Sequence, residues 1–375
     1  MSAAPGTSGG VLGSTGLPVS RLGFGCYRVD DATPGHRAAL ERAIERGCSL
    51  IDTSTNYADG HSESLVGEVL ADLGRRDPER RRRVVLVSKI GYVQGRNLAL
   101  AHEREAARRP FPDMVKYMDG CWHCIHPEFL RDQLTRSRER LRVETLDVCL
   151  LHNPEYFLSD AAHREDAPLD EVRAEFDRRL RDAFAFLEEA ARAGDIRYYG
   201  VSSNTCVSPA DDPEATSVSR MVAAAVAAAG EGHRFRVLQL PMNLFETGGA
   251  LERNTGTAGS QTALQAAAGA GLGVLINRPL NAIVGGRLLR LADSSAGNAA
   301  AVGELLDPAL PAARRGEPLS RKAIWVLAST PGVSNVLVGM RRKEYVDDAM
   351  AVEEWEPLAD PLAALRRTRD ALAAS

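Results

Sequence analysis

Eight times along this chain a short apolar run gives way to a longer segment of helical period. The apolar runs are 21–27, 48–52, 84–89, 146–152, 196–203, 235–240, 273–277 and 333–339. Between them, Leu40, Ala43 and Ile44 share one face of 35–47, and Leu65, Val66, Val69, Leu70 and Leu73 share another that stops at Gly74. Further helical segments are read at 127–142, 168–193, 213–229, 259–270 and 317–329, and from 342 onward. Strands separated by helices imply a parallel sheet covered by helices, because a parallel pairing needs a crossover. Eight such units is the number that closes an α/β (β/α)₈ TIM barrel. The rival, an open doubly wound sheet, usually carries G-x-G-x-x-G after its first strand. Gly23–Gly25 and Gly271–Gly273 both lack the third glycine.

A barrel of this kind uses about 250 residues, and over 400 with insertions, as one unit, so 375 residues fit one domain. The reading is a flexible tail at 1–14 and a single barrel over 15–375. Insertions near 92–125 and 278–316 leave the carboxyl ends of the third and seventh strands, on the face where barrel chemistry sits. A formal net charge of −4 speaks against nucleic acid and anionic membrane as partners. The basic run at 75–84 precedes a strand and reads as a solvated connection on the opposite face. No stretch reaches the roughly 18 apolar residues of a membrane span, and the N-terminus has no signal-peptide pattern. Six scattered cysteines suit reduced thiols, so a cytoplasmic protein is expected. Oligomeric state is not set by the sequence.

The strand ends carry the chemistry. Asp52, Lys89 and His152 close the second, third and fourth runs, with Tyr57 five residues beyond Asp52. Ser202, Ser203, Gln239, Asn277 and Gly339 close the next four. Tyrosine, with an ordinary pKa near 10, exchanges protons poorly at neutral pH. A neighbouring ammonium lowers that value. Lys89 is expected to do so, held by Asp52, while His152 meets a substrate oxygen. This set suits proton delivery to a carbonyl oxygen as a hydride reaches the carbon, or the reverse for an alcohol. No side chain donates hydride, so a nicotinamide or flavin cofactor is required.

The ordered segments LGFGCYR, IDTSTNYADGHSESLVG, VSKIG, LDVCLLHNPE, YYGVSS and VLQLPMNLF resemble successive signatures of the aldo-keto reductase superfamily, from about residue 15 to 350. The resemblance implies a (β/α)₈ barrel that binds NADP(H) and reduces an aldehyde or ketone. It puts a catalytic tetrad on Asp52, Tyr57, Lys89 and His152, with Tyr57 as general acid. It puts the cofactor against Cys26, Tyr27, Asp52, Ser202, Ser203, Asn204, Gln239, Asn277, Arg278, Pro279 and Leu280. The adenosine end falls on Gly339, Arg341 and Glu344, with Arg341 toward a 2′-phosphate, and NAD(H) stays possible.

The sequence departs from the family pattern in three places. GVSSN has one serine more than the common form. Asn277 stands where many members place a stacking aromatic. Asp348 and Ala349 occupy a region where an adenine-binding asparagine is common. The CWHCIH segment (121–126) lacks a second ligand pair, so no metal is expected. It reads as part of a lid, with Tyr92, Trp122, His123 and Tyr156 toward a small carbonyl or alcohol substrate. Two other functions are compatible with the same residues. One is an NAD-dependent sugar or alcohol dehydrogenase. The other is a poorly catalytic, cofactor-binding sensor resembling channel β subunits.

Overall fold

The computed structural model describes residues 10–164, 167–284, 287–291 and 297–373. Eight parallel strands close into a barrel in sequence order: β1 (Leu22–Gly25), β2 (Leu50–Asp52), β3 (Val85–Ile90), β4 (Leu146–His152), β5 (Ile196–Ser202), β6 (Phe235–Pro241), β7 (Gly273–Asn277) and β8 (Asn335–Val338). The helices between them are α1 (Pro34–Glu45), α2 (His61–Arg76), α3 (Pro127–Leu141), α4 (Leu169–Ala193), α5 (Val218–Ala229), α6 (Ala263–Gly269), α7 (Leu319–Ala328) and α8 (Lys343–Met350). Every strand and helix expected from periodicity is present, with ends displaced by a few residues. Among the described residues, no helix is long and apolar enough to cross a membrane.

The strand pleat builds two layers inside the barrel. Leu50, Val85, Val87, Val148, Leu150, Val237, Leu275 and Leu337 fill its interior. Side chains alternate along a strand, so residues two positions further on point inward at the top. Asp52, Lys89, His152, Gln239 and Asn277 follow Leu50, Val87, Leu150, Val237 and Leu275 in this way. The outward-facing residues of the same strands pack against the helices in a larger apolar cluster.

Two features seal the lower end and the seam. Residues 1–9 of the expected tail lie outside the described residues, but from Gly10 the chain is ordered. Gly10–Val11 pairs with Pro18–Val19 as a hairpin, and its fully buried Leu12 joins the interior layer. Gly13 approaches β7 so closely that a Cβ would lie 2.1 Å from the Gly273 nitrogen. The apolar side chain of Leu12 explains why this segment is not a free tail. The seam pairs β8 with β1, Val338 opposite Phe24. Asn335 Nδ2 donates to the Ser20 carbonyl at 2.8 Å. The Arg21 guanidinium donates to the carbonyls of Val352, Glu353 and Trp355 at 2.6–2.9 Å.

Both insertions contain regular structure. In 92–125, strands Tyr92–Val93, Val115–Met118 and Cys121–His123 form an antiparallel sheet, and Gly95–Ala106 is a helix. Val93, Ala101, Phe111, Cys124 and Phe129 form a core for this insert. The second insertion holds a hairpin, Asn281–Val284 with Arg287–Arg290, and a helix, Gly297–Leu306. Residues 285–286 and 292–296 of it lie outside the described residues.

Candidate active site

Asp52, Lys89 and Tyr57 meet at the top of β2 and β3. Lys89, fully buried, donates through Nζ to Asp52 Oδ2 at 2.6 Å, to the Thr53 carbonyl at 3.0 Å and to the Tyr57 hydroxyl at 3.1 Å. Three oxygens therefore satisfy all three ammonium protons. The second oxygen of Asp52 accepts from Gln239 Nε2 at 2.8 Å. Gln239 Oε1 in turn accepts from Ser202 Oγ at 3.0 Å and from Asn277 Nδ2 at 3.4 Å. The inner ends of β2, β3, β5, β6 and β7 are thus joined in one buried polar network.

Burial alone would push the Lys89 amine down, but Asp52 and Tyr57 hold it above its ordinary value. Burial pushes Asp52 up, and Lys89 and Gln239 pull it back only in part. Tyr57 corrects the expectation of a depressed phenol. Its burial, with the charge of Asp52, outweighs the downward pull of Lys89, so the net shift is upward. Desolvation penalises the phenolate more than one ammonium, itself neutralised by Asp52, can offset.

His152 stands beside Tyr57, with ring centroids 5.8 Å apart in an edge arrangement. Its Nδ1 lies 3.0 Å from Ser54 Oγ, and no side chain among the described residues takes Nε2. Burial, with Lys89 and His123 nearby, holds His152 well below the usual histidine range, so its imidazole is neutral. The Tyr92 ring lies edge-on to His152 at 4.6 Å.

The remaining expected residues divide. Ser202 faces inward, whereas Ser203, one position later, faces outward to Thr216 Oγ1 at 2.8 Å. Strand parity thus removes Ser203 from the cofactor face. Cys26 turns its side chain away from the barrel mouth. It is fully buried, its thiol faces the Phe24 carbonyl, and its backbone N–H is spent on the Asp52 carbonyl. Tyr27 is exposed, edge-on to Tyr57 at 5.3 Å. Trp122 turns to the insert, against His102 at 4.7 Å and Lys116 at 4.5 Å, because its neighbours Cys121 and His123 take the inward face. His123 is buried, with Nε2 2.7 Å from the His152 carbonyl. It backs the His152 main chain from the insert side. Burial lowers its pKa to about 4. Tyr156 stacks on His123 at 5.4 Å, and its hydroxyl lies 3.3 Å from that of Tyr92.

The donor set at the β5–β8 side fits a nicotinamide dinucleotide. Ser202 has spent its one proton on Gln239, so its oxygen is left as an acceptor. Asn277 Oδ1 and Arg278 Nε are buried without partners. Arg278 takes a left-handed backbone, φ 53°, and its Nη2 pairs with Glu246 at 3.0 Å. Pro279 is buried and Leu280 half-buried. A Cβ at Gly339 would meet no atom within 4 Å, so the exit of β8 is open. Arg341, Arg342, Lys343 and Glu344 are exposed, and these three cations have no acidic partner among the described residues. No cluster of three or more His, Cys, Asp or Glu able to hold a metal occurs among them either.

Four partners were missed at the sequence level. Ser54 Oγ donates to Asn56 Oδ1 at 2.7 Å, and Asn56 Nδ2 to Gln94 Oε1 at 3.1 Å, which extends the His152 contact into the insert. Glu155, 3% exposed, accepts the Asn204 backbone N–H at 2.6 Å. Burial raises its pKa to about 7. Ser54 and Asn56 lie inside the IDTSTNY segment and were findable there. Gln94 and Glu155 carry no local signal.

Comparison with known proteins agrees with this architecture. The model of the aldo/keto reductase family matches residues 21–245. The NADH-specific methylglyoxal reductase of Escherichia coli is 28% identical over 150 residues, 38% of this chain and 40% of that protein. The 6-dehydroglucose reductase of Novosphingobium aromaticivorans is 26% identical over 203 residues, 52% and 51% of the two chains. The chain thus spans about half, or less, of these relatives' length. Among solved structures, the holo aldo-keto reductase of Bacillus halodurans superposes with a TM-score of 0.60 at 18% identity, covering 96% and 95% of the chains. An aldo-keto reductase of Klebsiella pneumoniae in complex with NADPH gives 0.60 at 21%, covering 96% and 94%. At such identities these likenesses establish the fold.

Proposed function

This chain belongs to the aldo/keto reductase family, and on that premise we propose that it reduces an aldehyde or ketone to an alcohol, using NADP(H), with Tyr57 as the proton donor. The observation that carries the reading is the buried Asp52–Lys89–Tyr57 chain, 2.6 and 3.1 Å between successive groups, set beside His152.

A bound nicotinamide cofactor supplies the hydride to the carbonyl carbon. The rest falls to this chain. The Tyr57 hydroxyl and His152 Nε2 border the space for a carbonyl oxygen. As negative charge grows on that oxygen, the phenolic proton passes to it. Lys89 stabilises the phenolate left behind, and Asp52 keeps Lys89 charged and fixed. The phenol sits above its ordinary range, so it is protonated when the carbonyl arrives, and its proton leaves only as charge develops on the substrate oxygen.

Ser202, Asn204, Gln239 and Asn277 would hold the carboxamide end, Ser202 and Asn277 Oδ1 as acceptors for its N–H₂. Arg278 to Leu280 would line the pyrophosphate, and Gly339, Arg341 and Glu344 the adenosine. The exposed cations at 341–343, without an acidic partner among the described residues, support NADPH over NADH, although one relative is named NADH-specific. The substrate is a small carbonyl compound.

Tyr57→Phe tests the proposal. NADPH affinity, followed by fluorescence titration, should be unchanged. Turnover on an aldehyde and ketone panel should fall by about two orders of magnitude or more. Unimpaired turnover in that variant would overturn the assignment.

A further inference from the structure

The turn that carries Tyr57 is backbone-strained. Ala58 (φ 48°) and Asp59 (φ 54°) both occupy the left-handed region, followed by Gly60 at φ 91°. Two successive non-glycine residues there cost free energy and persist only where surroundings hold them. The hold comes from the insert. Its helix, Gly95–Ala106, has Gln94 at the N-cap, but that side chain does not cap. It bonds instead to Asn56 and Cys121. Asp59 takes the vacant role across the gap between segments. Its Oδ1 accepts the Arg96 backbone N–H at 3.1 Å, and its Oδ2 lies 3.2 Å from Arg96 Nε. Space for this contact exists because residue 95 is glycine. A Cβ there would stand 2.3 Å from Asp59 Oδ1, and its φ of 51° is itself left-handed. Arg96 Nη2 also reaches His61 Nε2 at 2.9 Å, at the start of α2.

We propose that Asp59 is a positioning residue: by capping the insert helix it locks the left-handed turn that aims the Tyr57 hydroxyl at Lys89. The proposal rests on the reading of Tyr57 as proton donor. The exposed Asp59–Arg96 ion pair contributes little, since such pairs are worth little in water. The backbone hydrogen bond and the fixed turn carry the effect. The 92–125 insert then has a second task besides walling the pocket, because it sets the geometry of a side chain outside its own segment.

Three substitutions separate the possibilities. Asp59→Gly keeps the left-handed backbone accessible but deletes the acceptor. Asp59→Asn keeps both. Gly95→Ala leaves the tyrosine turn untouched and pushes a methyl into Asp59. Misplacement of a reacting group by about 1 Å can cost about 100-fold. Asp59→Gly and Gly95→Ala should therefore each lower kcat by about ten- to a hundredfold, with NADPH Kd and the circular dichroism spectrum unchanged. Asp59→Asn should restore most of the turnover. The double variant should be no slower than the slower single one, since both break one contact. Wild-type kcat in Asp59→Gly, or equal damage in Asp59→Asn, overturns the proposal, provided Tyr57→Phe is inactive in the same assay. An active Tyr57→Phe removes the tyrosine reading, and this inference with it.

Discussion

Lys89 donates to the Tyr57 hydroxyl from 3.1 Å while its other side grips Asp52 at 2.6 Å. The ammonium is fully buried, so neither contact is shared with bulk water. This pairing makes stability and chemistry separable. Lys89→Met alone strands a buried carboxylate and should cost about 3–5 kcal/mol of folding stability. Adding Asp52→Asn should restore most of that stability but none of the turnover. Thermal unfolding and kcat measured on both variants check this. Recovered turnover in the double variant would show that the ammonium has no part in the reaction.

The two adjacent serines should behave oppositely. Ser202→Ala removes an acceptor facing the barrel mouth and unties Gln239, so cofactor affinity should fall about tenfold, the scale of one hydrogen bond. Ser203→Ala breaks the contacts to Thr216 Oγ1 and to the Thr205 backbone N–H and should lower the melting temperature with cofactor affinity retained. Titration of both variants distinguishes them.

Glu155 predicts a pH dependence. Its folded pKa of about 7 lies above the ordinary 4.5. Between these values the folded chain keeps a proton that the unfolded chain has lost. Folding stability should thus decline as pH rises from about 4.5 to about 7, by up to about 3 kcal/mol. Glu155→Gln keeps the acceptor for Asn204 and removes the titration. Its melting temperature should exceed wild type at pH 8 and match it near pH 5. Equal curves at both pH values would refute the account.

The exposed cations after β8 set cofactor choice in this reading. Arg341→Ala should reduce the ratio of kcat/KM for NADPH over NADH by about tenfold, through lost contact with a 2′-phosphate. The NADPH value alone should fall with added salt in wild type and less so in the variant. An unchanged ratio would move the selectivity to Arg342 or Lys343.

What the sequence reveals follows from where its physics is local. Apolar runs such as Val84–Ser88 declare buried strands, and the residue ending each run arrives at the barrel mouth. Asp52, Lys89 and His152 were legible for that reason. Ser202 and Ser203 were not separable, because parity depends on the strand register, which is set by pairing with β4 and β6. The insert at 92–125 is legible as an insertion, but its internal sheet and helix are not. Its strands are two to four residues long, too short to show a period, and its core is shared with Phe129 of α3. The direction of the Trp122 side chain, toward His102 and Lys116, is not legible either, because loop position carries no information about which way a three-residue strand turns. The upward shift of Tyr57 was missed because sequence gives the neighbour's charge but not the depth of burial.

The seam between β8 and β1 has a bearing on how the molecule is made. Val338 must find Phe24 more than three hundred residues upstream, and Arg21 must find carbonyls beyond residue 350. During synthesis, the first strand therefore waits with an open edge until nearly the whole chain has left the ribosome. A prematurely terminated product would never acquire its last staves, and two uncovered strand edges would invite aggregation.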